Sequence, residues 1–162
     1  MNADMATQRA LERLDADGFD SLTPQQKVLS TVWALEAEVN NGAFDQFFFN
    51  SAGDLAFYAP DALRSIGADR MAALAEEANS VFGPGGPPRD WETRRAQVRQ
   101  FSEETRERLA SSAHIFGFCP TQHECCHLGL ADRRSILLIL EFPPRVCFGS
   151  SDGEPQILLF RR

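Results

Sequence analysis

The sequence predicts an all-α fold, a compact bundle of five to six helices, with a short β-hairpin allowed only in its last third. Three observations carry that expectation. Apolar residues recur at three- and four-residue spacing through most of the first 110 positions. Capping residues and glycine- or proline-rich breaks cut this periodic text into helix-length pieces. Alanine, which lets helices pack closely, occurs 18 times in residues 1–112 and twice in residues 113–162.

Met5 to Asp15 opens the chain as a short amphipathic helix, with Leu11 and Leu14 three apart. Asp15, Asp17, Gly18 and Asp20 follow as a polar linker; the D-x-D-G spacing lacks the glutamate that a calcium loop requires. The next boundary is better marked. Thr23-Pro24-Gln25-Gln26 supplies a threonine N-cap, proline at the first helical position and glutamine at the third, a capping box. Val28, Leu29, Val32, Leu35 and Val39 then repeat at helical spacing, and Asn40-Asn41-Gly42 predicts a helix end through a left-handed residue.

In the stretch that follows, Phe44, Phe47 and Phe48 share one helical face, so Phe49 must pack against a second element. Core packing outweighs an aromatic ligand box as the reading of these rings. Pro60-Asp61 opens a short helix burying Ala62, Leu63 and Ile66 and stopping at Gly67. Asp69 starts another, with Met71, Leu74, Ala75, Ala78, Val81 and Phe82 as its inward stripe. Gly83 to Pro88 interrupts the pattern. Asp90 to Ala110 reads as one helix, with Asp90–Arg94, Arg99–Glu103 and Glu104–Arg108 able to pair along a solvated face.

The organisation is therefore an N-terminal helix and linker over 1–22, a helical domain over 23–112, and a divergent tail over 113–162. Ser135 to Phe142 and Gln156 to Phe160 read as short strands, so the tail is either a small hairpin or a poorly ordered end.

Charge and composition exclude several function classes. With 162 residues, 43% hydrophobic and 24% charged, the chain suits one soluble domain with a real core. Its longest apolar run, Ile136 to Leu140, is far short of the ~20 residues that span a bilayer. Met1 to Ala10 holds no secretory h-region, so a cytoplasmic protein is expected. A net charge of −7 argues against direct nucleic-acid binding, which needs clustered cations. The excess is uneven. Residues 1–80 carry 13 acidic and 5 basic side chains, a balance of −8, while the remainder is close to neutral.

Few constellations point to chemistry. Cys119, His123, Cys125 and His127 are soft ligands at high density, but their spacing departs from a zinc knuckle, and they stand as weak metal candidates. Gly83 to Pro88 has prolines where a phosphate loop needs free N–H groups. No nucleophile motif surrounds the Cys/His pair, and no carboxylate pair is singled out. No catalysis and no cofactor are expected. What remains is the acidic surface: Glu36, Glu38, Asp45, Asp54, Asp61, Asp69, Glu76 and Glu77 lie on or beside the helices of the first half. Four helical residues advance the chain by roughly 6 Å, comparable with successive phosphates along a DNA strand. These eight are the candidate partner-binding residues.

Val39-Asn40-Asn41-Gly42-Ala43-Phe44-Asp45-Gln46-Phe47-Phe48-Phe49-Asn50-Ser51-Ala52-Gly53 resembles the signature of a bacterial family that contains DNA-mimic proteins and is named after their C-terminal domain. That signature runs N-G-G-F-x-Q-F-F-x-N-x-x-G, then A-L-x-x-I-G-A, here Ala62 to Ala68, then an alanine-rich helix. Gly42, Phe44, Gln46, Phe47, Phe48, Asn50 and Gly53 match it and read as core and turn positions; Ala43 replaces the second glycine. The resemblance implies an all-α domain, covering residues ~20 to ~110, and an acidic surface that occupies a DNA-binding protein. The expected partner is thus a basic DNA-binding protein such as a transcription regulator, with a neighbouring toxin as the alternative. A monomer and a homodimer both remain open.

Overall fold

The computed structural model describes residues 3–117, and these form six α-helices joined by short 3₁₀ turns and loops. They are α1 (Ala3–Asp17), α2 (Pro24–Phe49), α3 (Ala59–Ser65), α4 (Asp69–Asn79), α5 (Trp91–Arg99) and α6 (Glu103–Gly117). The all-α expectation holds, with no strand among the described residues. The tail hairpin and the Cys119, His123, Cys125 and His127 cluster lie outside them.

The start of α2 follows the capping box. The Gln26 N–H donates to Thr23 Oγ1 (3.3 Å), and the Thr23 N–H donates to Gln26 Oε1 (3.0 Å), which satisfies two donors that a helix start leaves unpaired. The expected helix end at Asn40 to Gly42 takes another form. Gly42 and Ala43 leave helical geometry, but the helix resumes at once, so α2 bends there and does not stop. The left-handed residue is Ala43, at φ 63°, while Gly42 sits at φ −163°.

The bend turns three rings into the bundle. Phe44, Phe47 and Phe48 are each at most 1% exposed, and hydrophobic transfer of such side chains contributes about 1.5–3 kcal/mol each. Phe48 meets Phe82 edge-to-face at 4.9 Å, and Phe82 meets Phe101 at 5.1 Å, so one aromatic run ties α2 to the segments around α5. Leu35, Leu63, Met71, Ala72, Ala75 and Leu109 close the same core from α2, α3, α4 and α6. Beside it, α1 buries Ala6 and Ala10 against Leu29.

The stretch expected as one helix over 90–110 divides at Gln100 to Ser102 into α5 and α6. Phe101 sits at that break, half-buried against the core. Ser102 then opens α6, accepting from the Thr105 N–H at 3.2 Å. None of the three surface pairs expected along this stretch forms. Asp90 accepts from the Thr93 N–H at 2.8 Å and caps α5, Arg94 turns inward, and Arg99 and Glu103 fall on opposite sides of the break.

Candidate functional site

The signature segment is held from within. Glu38, on α2 ahead of the bend, accepts from Gln46 Nε2 and from Asn50 Nδ2, both at 2.9 Å. One carboxylate oxygen therefore spans the bend and fixes both amides. A side chain at position 42 would collide with that of Gln46, which is why glycine stands there. Past the bend, Asp45 pairs with Arg106 of α6 at 2.6 Å, and Arg106 also donates to the Val98 carbonyl at 2.8 Å. Phe49, the ring that the sequence required to pack elsewhere, lies under the Arg95 guanidinium at 4.0 Å.

Arg94 is the least foreseeable residue of the domain. It is fully buried and spends all three guanidinium nitrogens on the end of α2 and the loops beside it. Nε donates to the Phe48 carbonyl (2.8 Å), Nη1 to those of Pro88 (2.9 Å) and Arg89 (3.2 Å), and Nη2 to Asn50 (3.1 Å) and to Asp54 Oδ1 (2.6 Å). Gly53 leaves room for this: a Cβ there would lie 2.6 Å from Arg94 Nε and 2.8 Å from the Phe47 carbonyl. The guanidinium thus satisfies the Phe48 carbonyl, which the end of α2 leaves without a helical partner, and adds a second donor to Asn50, whose carbonyl also accepts from the Gly53 N–H at 3.1 Å.

The eight acidic candidates separate into two groups. Five are engaged within the domain: Glu38 by the two amides, Asp45 by Arg106, Asp54 by Arg94, and Asp61 and Glu76 by Arg64. Glu36, Asp69 and Glu77 are exposed and make no ion pair among the described residues. Glu36 is on α2, and the other two are on α4. The Glu36 carboxyl is pushed above the ordinary carboxylate range by desolvation, since it borders a small apolar pocket with Val28, Leu29, Val32, Trp33 and Ile66.

A larger groove, of about 510 Å³, runs between α1, α2 and the Ser51–Leu55 turn. Leu11, Leu14, Trp33, Ala37 and Phe57 give it apolar walls, and Asp15, Glu38, Asp54 and Arg89 give it charge. At one end Phe19 meets Phe57 and Tyr58 edge-on, each at 5.3 Å. Arg89 stacks over Phe57 at 3.7 Å, and Lys27 stands over Phe19 at 4.8 Å.

A family profile described as DMP19-like protein matches residues 20–122. The chain belongs to that family. No curated protein and no solved structure matches it. The matched segment holds the bend, the Glu38 clasp and the whole Arg94 nest, so what the DMP19-like signature encodes in this chain is architecture. Gln46 and Asn50 serve Glu38, Gly53 makes space for Arg94, and Phe44, Phe47 and Phe48 fill the core. Helix α1 and Phe19 precede the matched segment, so the large groove combines DMP19-like residues with residues outside the match.

No group of metal-ligating side chains occurs among the described residues. Nor is any of their helices long and apolar enough to cross a membrane. Sequence reasoning overlooked Arg94, placed within a surface stripe, and Trp33, which matches the apolar period of α2 poorly. Arg94 had one available signal: an arginine at an inward position of α5, four residues before buried Val98.

Proposed function

We propose that this protein acts by binding another protein: its acidic face occupies the DNA-binding surface of a basic transcription regulator or other DNA-binding protein, and it performs no catalysis. Membership of the DMP19-like family carries the reading. The distribution of charge supports it, since residues 20–80, within the family segment, carry nine acidic and three basic side chains, a balance of −6. The partner's lysines and arginines, which otherwise hold phosphates, are met by carboxylates fixed on rigid helices. Long-range attraction speeds the encounter and falls with added salt.

The internal pairs refine which carboxylates serve this purpose. Glu36, Asp69 and Glu77 carry uncompensated charge and are the primary contacts. Asp69 and Glu77 are eight residues apart on α4, roughly 12 Å along its axis, about two phosphate steps. Asp61 and Glu76 share Arg64 at the surface and can exchange that partner for a foreign cation at small cost. Glu38, Asp45 and Asp54 hold the fold together; Asp45 and Asp54 are paired there with arginines, while Glu38, bonded to neutral amides, keeps its charge.

Affinity capture with the tagged protein, followed by competition with duplex DNA, tests the reading. Captured proteins should be DNA-binding, and duplex DNA should displace them. Partners that do not bind DNA, or that DNA leaves in place, would overturn it; an adjacent-gene toxin among them would point to neutralisation instead.

A further inference from the structure

Among the described residues four large apolar side chains are markedly exposed, Met5, Trp33, Phe57 and Trp91, and two of these, Trp33 and Phe57, line the same groove. Trp33 is 51% exposed, and it also edges the small pocket beside Glu36. It therefore stands as a ridge between two concavities, each with apolar walls. A tryptophan so placed offers a broad face to whatever fills either side, and such residues dominate binding energy at protein interfaces.

The charges around Trp33 say what that occupant is. Asp15 and Glu36 make no ion pair among the described residues. Glu38 accepts only from two neutral amides, so its negative charge is not cancelled. Asp54 is already paired with buried Arg94. Arg89, the one cation lining the groove among the described residues, is stacked over Phe57. Two uncompensated carboxylates, Asp15 and Glu38, thus line the groove beside exposed Trp33, and a third, Glu36, borders the small pocket that Trp33 also edges.

We infer that the groove along Trp33 is the docking surface for a segment of the partner protein that carries arginine or lysine beside apolar side chains. The apolar side chains enter the groove between Leu11, Leu14 and Trp33. The cations lay their stems over the indole and place their heads among Asp15, Glu36 and Glu38. A second copy of this chain fits poorly, because its own acidic rim would face the same carboxylates; the chain carries −7 overall. The inference rests on the reading that the partner is a basic protein, and it adds an anchor that charge alone does not supply.

Trp33 and Trp91 are the two tryptophans of the chain, so Trp91→Phe leaves Trp33 as sole fluorescent reporter. The probe is a synthetic 16-residue amphipathic peptide of leucine, alanine and arginine; the control replaces arginine by glutamate. The arginine peptide should shift Trp33 emission to the blue and saturate, and the glutamate peptide should not. By peptide anisotropy, Trp33→Ala should weaken binding at least tenfold, with Trp33→Phe partly restoring it, and Glu36→Gln and Asp15→Asn should each weaken it two- to fivefold. Circular dichroism checks that each variant folds. Equal binding of both peptides, an unaffected Trp33→Ala, or a blue shift on raising protein concentration alone would overturn the proposal. Two results separate it from the functional reading. If Trp33→Ala still captures a DNA-displaceable partner, the groove proposal fails and the DNA-mimic reading stands. If Trp33 binds the arginine peptide but DNA displaces no captured partner, the reverse holds.

Discussion

Replacing Arg94 by methionine removes the charge and all five hydrogen bonds while keeping an apolar side chain of similar reach. The Phe48 and Asn50 carbonyls lose donors at the end of α2, the Pro88 and Arg89 carbonyls lose theirs in the loop, and Asp54 loses its ion pair. Removing one member of a buried charged network costs about 3–5 kcal/mol, a large share of the 5–15 kcal/mol typical of a domain. With a urea m-value of about 1.5 kcal/mol/M, the unfolding midpoint falls by about 2 to 3 M. Asp54→Asn isolates one part. The Asp54 side chain is 50% exposed, so solvent screens its attraction for Arg94, and its loss should cost no more than about 1 kcal/mol. That cost should vanish when Arg94 is already methionine. Arg94→Lys keeps the charge but cannot reach both sides, and should fall between. The assay is urea unfolding followed by circular dichroism at the helix band. A midpoint for Arg94→Met within about 0.5 M of the parent would refute the idea that these carbonyls depend on the guanidinium.

Ala43 occupies φ 63°, ψ −171°, a region open almost only to glycine, so Ala43→Gly should stabilise the protein by about 1 kcal/mol after the added chain entropy, read as a higher melting temperature. Gly53→Ala should destabilise it by about 1–3 kcal/mol in the same assay, since the new methyl meets Arg94 and a backbone carbonyl that cannot retreat. Thr31 is fully buried with a hydroxyl that has no partner, so Thr31→Val should raise the urea midpoint by an amount worth about 1 kcal/mol. Glu36 binds its proton more tightly folded than unfolded, so its contribution to stability is present at low pH and is lost as pH rises through its raised value. Glu36→Gln should therefore be more stable than the parent at pH 7, with the difference disappearing near pH 4.

What the sequence disclosed and what it withheld divide along chain separation. The capping box needs only Thr23, Pro24 and Gln26, and it was legible because all its chemistry lies within four residues. The same holds for the inward stripe of α4 and for the shared face of Phe44, Phe47 and Phe48. At Asp90 an i to i+4 pairing and a helix cap compete for the same carboxylate, and the cap wins where the helix begins. Arg94 joins carbonyls 44 and 46 residues away, and nothing local announces that the end of α2 will face α5. The acidic candidates were legible as a set but not as individuals, because each one's engagement depends on an arginine elsewhere, such as Arg106, 61 residues from Asp45.

The Arg94 nest also sets a timetable for the nascent chain. Asp54 leaves the ribosome 40 residues before the arginine that completes its surroundings. At about 5–20 residues per second that interval is roughly 2–8 s, during which the Phe48 carbonyl and the Asp54 carboxylate are without their guanidinium partner. The Phe-rich segment thus cannot be locked by its own neighbourhood, and the domain is finished from its far end. A chain arrested before residue 90 should remain open to protease around Phe47 to Leu55, and one extended past α6 should be protected there.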